Sequence, residues 1–513
     1  MSRTRSLGLT GCGIGLIALT GLGLYVQRQN DIDRFVAIAL AQGAVYLLAM
    51  GLVWRSAGSR RALVVILGVA GAMRVAVVLA PPYLSSDIYR YVWDGRVIAA
   101  GINPYRYIPS DPHLAALRDA AIFPHINRST YAHTIYPPAA EAIFFAVTRV
   151  GESPTVMKAA MVGFEAIAVA LLLLMLVSSG QPASRIIVYA WHPLPLWEFA
   201  GSGHIDAAIV AFVALALWSG RRARGTLSRI GWHDPYLPSP PFRGEREGPA
   251  PQAWEGEVGR GRRSGIPHLT PTLSAPGGGE GVDDEGRRFG RQSTNVCLAG
   301  LALALATLVK FYPAAILPAL WRRWDWRKLA VYAAVVVLAY LPFIGVGWGV
   351  FGFLPHYAVE EGFTGGGAGF YVWEIARSAL PLAGIPDIAY IAGAACLLAG
   401  LAVWVAFRRR DAAGDLRGAA LIAGTFMLLL SPHYPWYFAW LVVFACLVPS
   451  IALVWLTLAS FLLYLVPIWP HLVWDRRWLL VDSALYVPFL VIAAAELWRR
   501  RKEPATHGER ALR

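Results

Sequence analysis

The feature that most constrains this chain is repetition of apolar runs. Seven of them span roughly twenty residues, at 7–26, 34–54, 62–80, 156–178, 329–349, 388–407 and 479–498. Shorter or broken runs lie at 185–200, 204–219, 296–311, 313–321, 417–431, 436–449 and 450–469. A helix needs about 20 apolar residues to cross the hydrocarbon of a bilayer, and inside it every backbone group must bond within the segment. The pattern therefore predicts an all-α, polytopic membrane protein with about thirteen transmembrane helices. Charged residues are 15% of the 513 and hydrophobic ones 57%, too little charge to coat a soluble protein of this size. The first run lacks a small-residue cleavage end and is read as a retained helix.

The net charge of +14 does not signal nucleic acid, because the cations are grouped. They stand as Arg55/Arg60/Arg61, Arg221/Arg222/Arg224, Arg322/Arg323/Arg327/Lys328, Arg408/Arg409/Arg410 and Arg499/Arg500/Arg501/Lys502, each against an apolar run. That is the signature of cytoplasmic loops. With the N-terminus inside, segment 81–155 falls outside, and its six Arg balance six Asp and Glu. The apolar run after Tyr136-Pro137-Pro138 is too short to span and carries Glu141; if it crossed, the Arg221–Arg224 cluster would fall outside. It is read as an outer juxtamembrane helix opened by its prolines. Cys12, Cys297, Cys396 and Cys446 show no ligand spacing and are read as small buried hydrophobes.

The expected organisation is N-terminal spans over 1–80, an outer catalytic loop over 81–155, spans over 156–224, and C-terminal spans over 296–502 with an outer loop at 350–387. A cytoplasmic tail follows at 503–513. Segment 225–295 breaks the pattern with 14 Gly and 9 Pro, and its nine Arg and nine acids cancel. It is expected to be a disordered cytoplasmic insertion without a catalytic role.

Chemistry concentrates in a few polar stretches. Asp87 and Asp94 stand seven residues apart, on one face of a helix over that segment, with Tyr89, Arg90, Tyr91 and Trp93 around them. Asp87 also suits a helix cap, and Asp94 a salt bridge to Arg90 or Arg96. Gly203-His204-Ile205-Asp206 follows two prolines between spans, where irregular backbone is tolerated if it lines a cavity or simply turns. Lys310 sits before Pro313, placed for a lipid phosphate or for headgroups. His433 and Tyr434 end a later span among interface aromatics. The loop with His356, Glu360, Glu361 and Gly365-Gly366-Gly367 is read as a lid or as a solvated connection. No P-loop, Rossmann fingerprint, nucleophile elbow or HExxH motif occurs.

Taken in order, Ser86-Asp87-Ile88-Tyr89-Arg90-Tyr91-Val92-Trp93-Asp94-Gly95-Arg96, Gly101-Ile102-Asn103-Pro104-Tyr105, Tyr136-Pro137-Pro138, Gly203-His204-Ile205-Asp206, Val309-Lys310-Phe311-Tyr312-Pro313 and His433-Tyr434-Pro435-Trp436-Tyr437 resemble the GT-C superfamily of integral-membrane glycosyltransferases. Within it they are most similar to polyprenol-phosphate-mannose-dependent mannosyltransferases, over roughly residues 60–450 outside the insertion. The resemblance implies a polyprenyl-phosphate sugar donor, with mannose as the sugar, and a glycan or glycolipid acceptor outside the cytoplasm. The site would face outward from a bacterial inner membrane.

It further implies an acidic catalytic base in the first long outer loop; the matching residue is Asp87. Better-known branches carry two adjacent acids there, where this chain has Ser86-Asp87, so a divalent cation stays open and no cofactor is assigned. Substrate contacts are expected from Tyr89, Arg90, Tyr91, Asp94, Asn103, Tyr105, Tyr136, His204, Asp206, Lys310, His433 and Tyr434. A lipid-linked oligosaccharide flippase or polymerase is the rival reading, and it predicts charge spread over many spans. A secondary transporter predicts inverted repeats, and no self-similarity is found.

Overall fold

The computed structural model describes residues 3–54, 58–223, 279–321, 325–360, 369–382, 384–408, 412–468 and 474–502. Every regular element among them is helical. Among the described residues, nine helices are long and apolar enough to cross a membrane, and shorter apolar helices cover 138–148, 435–447 and 451–466. The chain is a polytopic, all-α membrane protein. Two of the short runs expected to be spans are built as broken pieces, whereas runs 204–219, 296–311 and 417–431 fall largely in continuous helices. Run 185–200 becomes short turns interrupted by Pro193 and Pro195, and run 313–321 becomes a turn of 3-10 helix followed by Leu317–Leu320.

The insertion expected over 225–295 lies outside the described residues as far as 278, and the helix Gly279–Val309 begins inside its last part. The glycines 365–367, Glu361 and the tail 503–513 also lie outside the described residues.

Helices α1 (Arg3–Arg28), α2 (Ile32–Trp54) and α3 (Arg60–Val78) form an N-terminal bundle. A buried segment, Ala183–Gly201, threads beside it. Its last turn, Leu196–Gly201, is a π-helix, which sets Trp197 against α1. A Cβ at Gly23 would come within 2.8 Å of Trp197, so only glycine lets that indole pack there. Several polar groups in this apolar interior are paired, which offsets the cost of holding them away from water. Trp197 Nε1 donates to Gln42 at 2.7 Å, and Tyr464 donates its hydroxyl to Glu198 at 2.8 Å. Arg74 of α3 makes two bonds, of 3.1 and 2.9 Å, to Glu165 of α6 (Pro154–Ser178).

The functional end is built where α3 gives way to polar chain. Helix α4 (Asp87–Ala99) packs on α5 (Pro138–Thr148), the short helix expected along the membrane surface. Lys158 of α6 donates to the Val77 carbonyl at 3.0 Å and also to that of Ala80, capping the end of α3 just before the site. Arg96 bonds Asp119 at 2.7 Å and Glu152 at 2.8 Å, tying the end of α4 to the loop 100–137 and to the turn before α6.

Candidate active site

A cavity of about 1030 Å³ opens at this end of the bundle. Residues 82–90 and 125–137 line it together with Lys310 to Ala315, Tyr434 to Tyr437, and Phe353, Leu354 and Tyr357 at the end of the apolar helical stretch Arg327–Tyr357, part of which was expected to be the outer loop 350–387.

Asp87 is the first residue of α4, where the positive end of the helix dipole favours a carboxylate. Ser86 precedes it without a side-chain cap bond; instead Ser85 Oγ accepts the Asp87 amide at 3.2 Å. The carboxylate is thus not consumed as a cap. Asn127 Nδ2 donates to Asp87 Oδ1 at 2.7 Å, and the Tyr136 hydroxyl reaches Oδ2 at 3.4 Å.

Asp94, one face-repeat along, does not line the cavity. Arg90 Nε binds it at 2.8 Å, and Arg90 Nη1 donates to the Ala132 carbonyl at 3.1 Å. Burial pushes the Asp94 carboxyl up, against the pull of Arg90. Burial, and then the nearby Asp94 charge, holds Glu141 of α5 well above the ordinary carboxylate range, and Thr134 donates to it at 2.7 Å. The guanidinium is bonded to Asp94, and burial beside that charge favours a proton on Glu141. His133 on the wall is pushed down by burial and by Arg90, toward the neutral imidazole.

Elsewhere on the lining, Lys310 Nζ lies 2.6 Å from Asp206 Oδ2, and the Tyr312 hydroxyl donates to Oδ1 at 2.8 Å. Lys310 also sits over the Tyr437 ring, 4.8 Å from its centre. Asp206 is wholly buried beneath Lys310 and Tyr312, which themselves line the cavity.

Of the residues expected from the sequence, Asp87, Tyr89, Arg90, Tyr136, Lys310 and Tyr434 line this one cavity. The others stand behind it. Tyr91 stacks on Phe144 at 4.5 Å, with its hydroxyl 3.5 Å from that of Tyr136. Asn103 bonds the Phe343 carbonyl, and Tyr105 donates to the Tyr136 carbonyl at 2.7 Å. His204 is fully buried, stacked 4.1 Å from Trp436 and 3.4 Å from Glu198, and Trp436 is the one on the cavity wall. His433 stacks on Trp478 at 4.2 Å. Sequence reasoning did not single out His125, Asn127, Arg128 or His133, all of which line the cavity from one irregular segment. Such a loop carries no periodicity to reveal which way it faces.

Residues 10–241 match the family profile described as "Alpha-(1->6)-mannopyranosyltransferase, N-terminal domain". Residues 286–432 match glycosyltransferase family 87. The chain is a multi-pass membrane glycosyltransferase, and the two matches are consistent with a GT-C-like mannosyltransferase. No curated protein and no solved structure matches it. The first match contains Asp87, Asn127 and Asp206, and the second contains Lys310, so the cavity of this glycosyltransferase is assembled from both matched regions. Among the described residues, no group of three or more His, Cys, Asp or Glu is placed to hold a metal ion.

Proposed function

We propose that this glycosyltransferase moves mannose from a polyprenyl-phosphate donor to a glycan or glycolipid acceptor on the outer face of the membrane, with Asp87 as base. The observation that carries this reading is the position of Asp87. Its carboxylate stands on a polar, aromatic cavity wall, with Lys310 lining the same cavity. The reaction is one displacement. Asp87 takes the proton of the acceptor hydroxyl as that oxygen bonds the anomeric carbon, and the bond from that carbon to the phosphate oxygen breaks, inverting the centre. Polyprenyl phosphate departs as a stable anion, so no general acid is needed, only positive charge at the phosphate. Lys310, Arg90 and Arg128 line the cavity and suit that need, although Lys310 and Arg90 are also held by Asp206 and Asp94.

The wall composition supports a two-part ligand. Phe311, Ala314, Ala315, Phe426 and Leu430 offer apolar surface to the first isoprene units. Tyr89, Tyr136, Tyr434 and Trp436 offer aromatic faces to the C–H surface of a sugar.

The test is transfer by the full chain in proteoliposomes, from a panel of polyprenyl-phosphate sugars, beside Asp87→Asn. The expected result is that the mannosyl donor is consumed and that the Asn variant slows by roughly 10²- to 10⁴-fold. An Asn variant as fast as the parent removes Asp87 as base, and preference for another sugar removes mannose.

A further inference from the structure

The segment from Ile122 to His133 carries no recognised motif, yet it supplies the shortest contact to the cavity carboxylate. We propose that Asn127 is the positioning residue for Asp87, holding one oxygen so that the other faces the acceptor. The inference rests on Asp87 acting as the base.

The two bonds to Asp87 are unequal. Asn127 Nδ2 donates at 2.7 Å, within the range of a bond to a charged acceptor, whereas the Tyr136 hydroxyl stands at 3.4 Å, beyond a normal O–H···O bond. An ionised carboxylate only accepts, so the Asn127 amide must present its NH₂ group there. Oδ1 is therefore held, and Oδ2 keeps only a long contact that an acceptor hydroxyl can replace.

The support for Asn127 is itself rigid. Phe123–His125 is a turn of 3-10 helix, and the Ile122 amide is held by Asp119 Oδ1 at 2.7 Å. His125 packs on Tyr89 at 4.7 Å, and Phe123 on Trp93 at 5.6 Å. Tyr89, Trp93 and Arg96 follow one another at i, i+4 and i+7 on α4, so this stripe of the helix that begins at Asp87 carries the segment bearing Asn127. Just after Asn127, Arg128 takes a left-handed backbone, φ 54°, and its carbonyl accepts the Ala132 amide at 3.0 Å. Non-glycine residues rarely adopt that conformation, and such strain persists where the surroundings over-determine the chain. Asn127 is thus delivered to Asp87 from a corner clamped at both ends.

Positioning makes a different forecast from a loop tether. Removing an N–H donor from the charged form of a base makes it harder to ionise, so the acid limb of the rate profile moves to higher pH. The experiment measures kcat, KM and pH–rate profiles for the full chain in proteoliposomes. It compares Asn127→Ala, Asn127→Gln and Asn127→Asp with Asp87→Asn, thermal unfolding verifying that each is folded. Expected for Asn127→Ala is a fall in kcat of roughly 10- to 100-fold, with donor KM little changed, and an acid limb moved to higher pH. Asn127→Gln keeps the amide and recovers part of kcat. Asn127→Asp sets a second carboxylate against the first and raises the acid limb further.

Parental kcat and profile in Asn127→Ala, with Asp87→Asn inactive, overturns the role of Asn127 and leaves the base standing. An equal loss in the Ala and Gln variants with an unmoved acid limb overturns it in favour of a tether. An active Asp87→Asn overturns both readings.

Discussion

Lys310 Nζ donates to Asp206 Oδ2 at 2.6 Å across 104 residues of sequence, and side-chain exposure is 13% for the lysine and none for the aspartate. The contact joins the start of the helix Asp206–Arg222 to the end of the helix Gly279–Val309. Breaking one side of a pair this buried strands a charge, which costs about 3–5 kcal/mol, while removing both sides costs much less. Lys310→Met should therefore lower thermal stability in detergent sharply. Lys310→Met combined with Asp206→Asn should recover most of that stability but little transfer activity. Additive losses in the double variant would show that the pair is not coupled.

Gly95 stands where α4 crosses α5. A Cβ there would meet the Phe144 carbonyl oxygen at 2.5 Å and the Thr148 side chain at 2.7 Å. Neither atom can swing away cheaply, so Gly95→Ala should cost about 1–3 kcal/mol by overpacking and tilt the helix that begins at Asp87. The expected readout is a lowered unfolding temperature together with reduced transfer. Unchanged values of both would contradict the tight crossing.

Glu141 gives a pH signature. Burial, and then Asp94, raises its folded-state pKa above the unfolded value of about 4.3, with Arg90 and Thr134 facing the same pair. A raised acid contributes stability that is fully present below the unfolded pKa and is lost as pH rises toward the folded one. Glu141→Gln carries no such loss. Its unfolding temperature relative to the parent should climb from pH 4 upward until the folded-state pKa is passed, as thermal unfolding across buffers would record. A difference constant with pH would mean that Glu141 ionises normally.

Tyr136 lies on the same carboxylate as Asn127 but farther away, at 3.4 Å. A long hydroxyl contact is worth at most about 1 kcal/mol. Tyr136→Phe should slow transfer by no more than roughly 10-fold, as measured by steady-state kinetics. A loss as deep as that of Asp87→Asn would give the tyrosine hydroxyl a part in proton transfer.

Much of the architecture was legible in one dimension. Hydropathy marked the long spans because a bilayer demands length and apolarity locally, with no regard to partners. Parity of the Arg clusters kept the run after Pro138 off the list of spans, and the structure builds it as the short helix Pro138–Thr148 packed on α4. The stretches holding Asp87, Tyr136, Lys310 and Tyr434 stood out as polar or aromatic chain in a greasy context, and all four line the cavity. Roles within those stretches were less readable. Asp87 and Asp94 look alike at seven-residue spacing, and the structure separates them by burying Asp94 in an i, i+4 pair with Arg90 while Asp87 lines the cavity.

What the sequence determined alone is the material of the site: a membrane bundle whose polar breaks are spaced to meet at one end. What tertiary structure decided is which breaks touch. Asn127 reaches Asp87 across 40 residues because Phe123 and His125 pack on one stripe of α4. His204 is withdrawn from the cavity because Trp436 lies over it. Both outcomes depend on side chains from distant segments filling the same space, and a linear pattern holds no record of that.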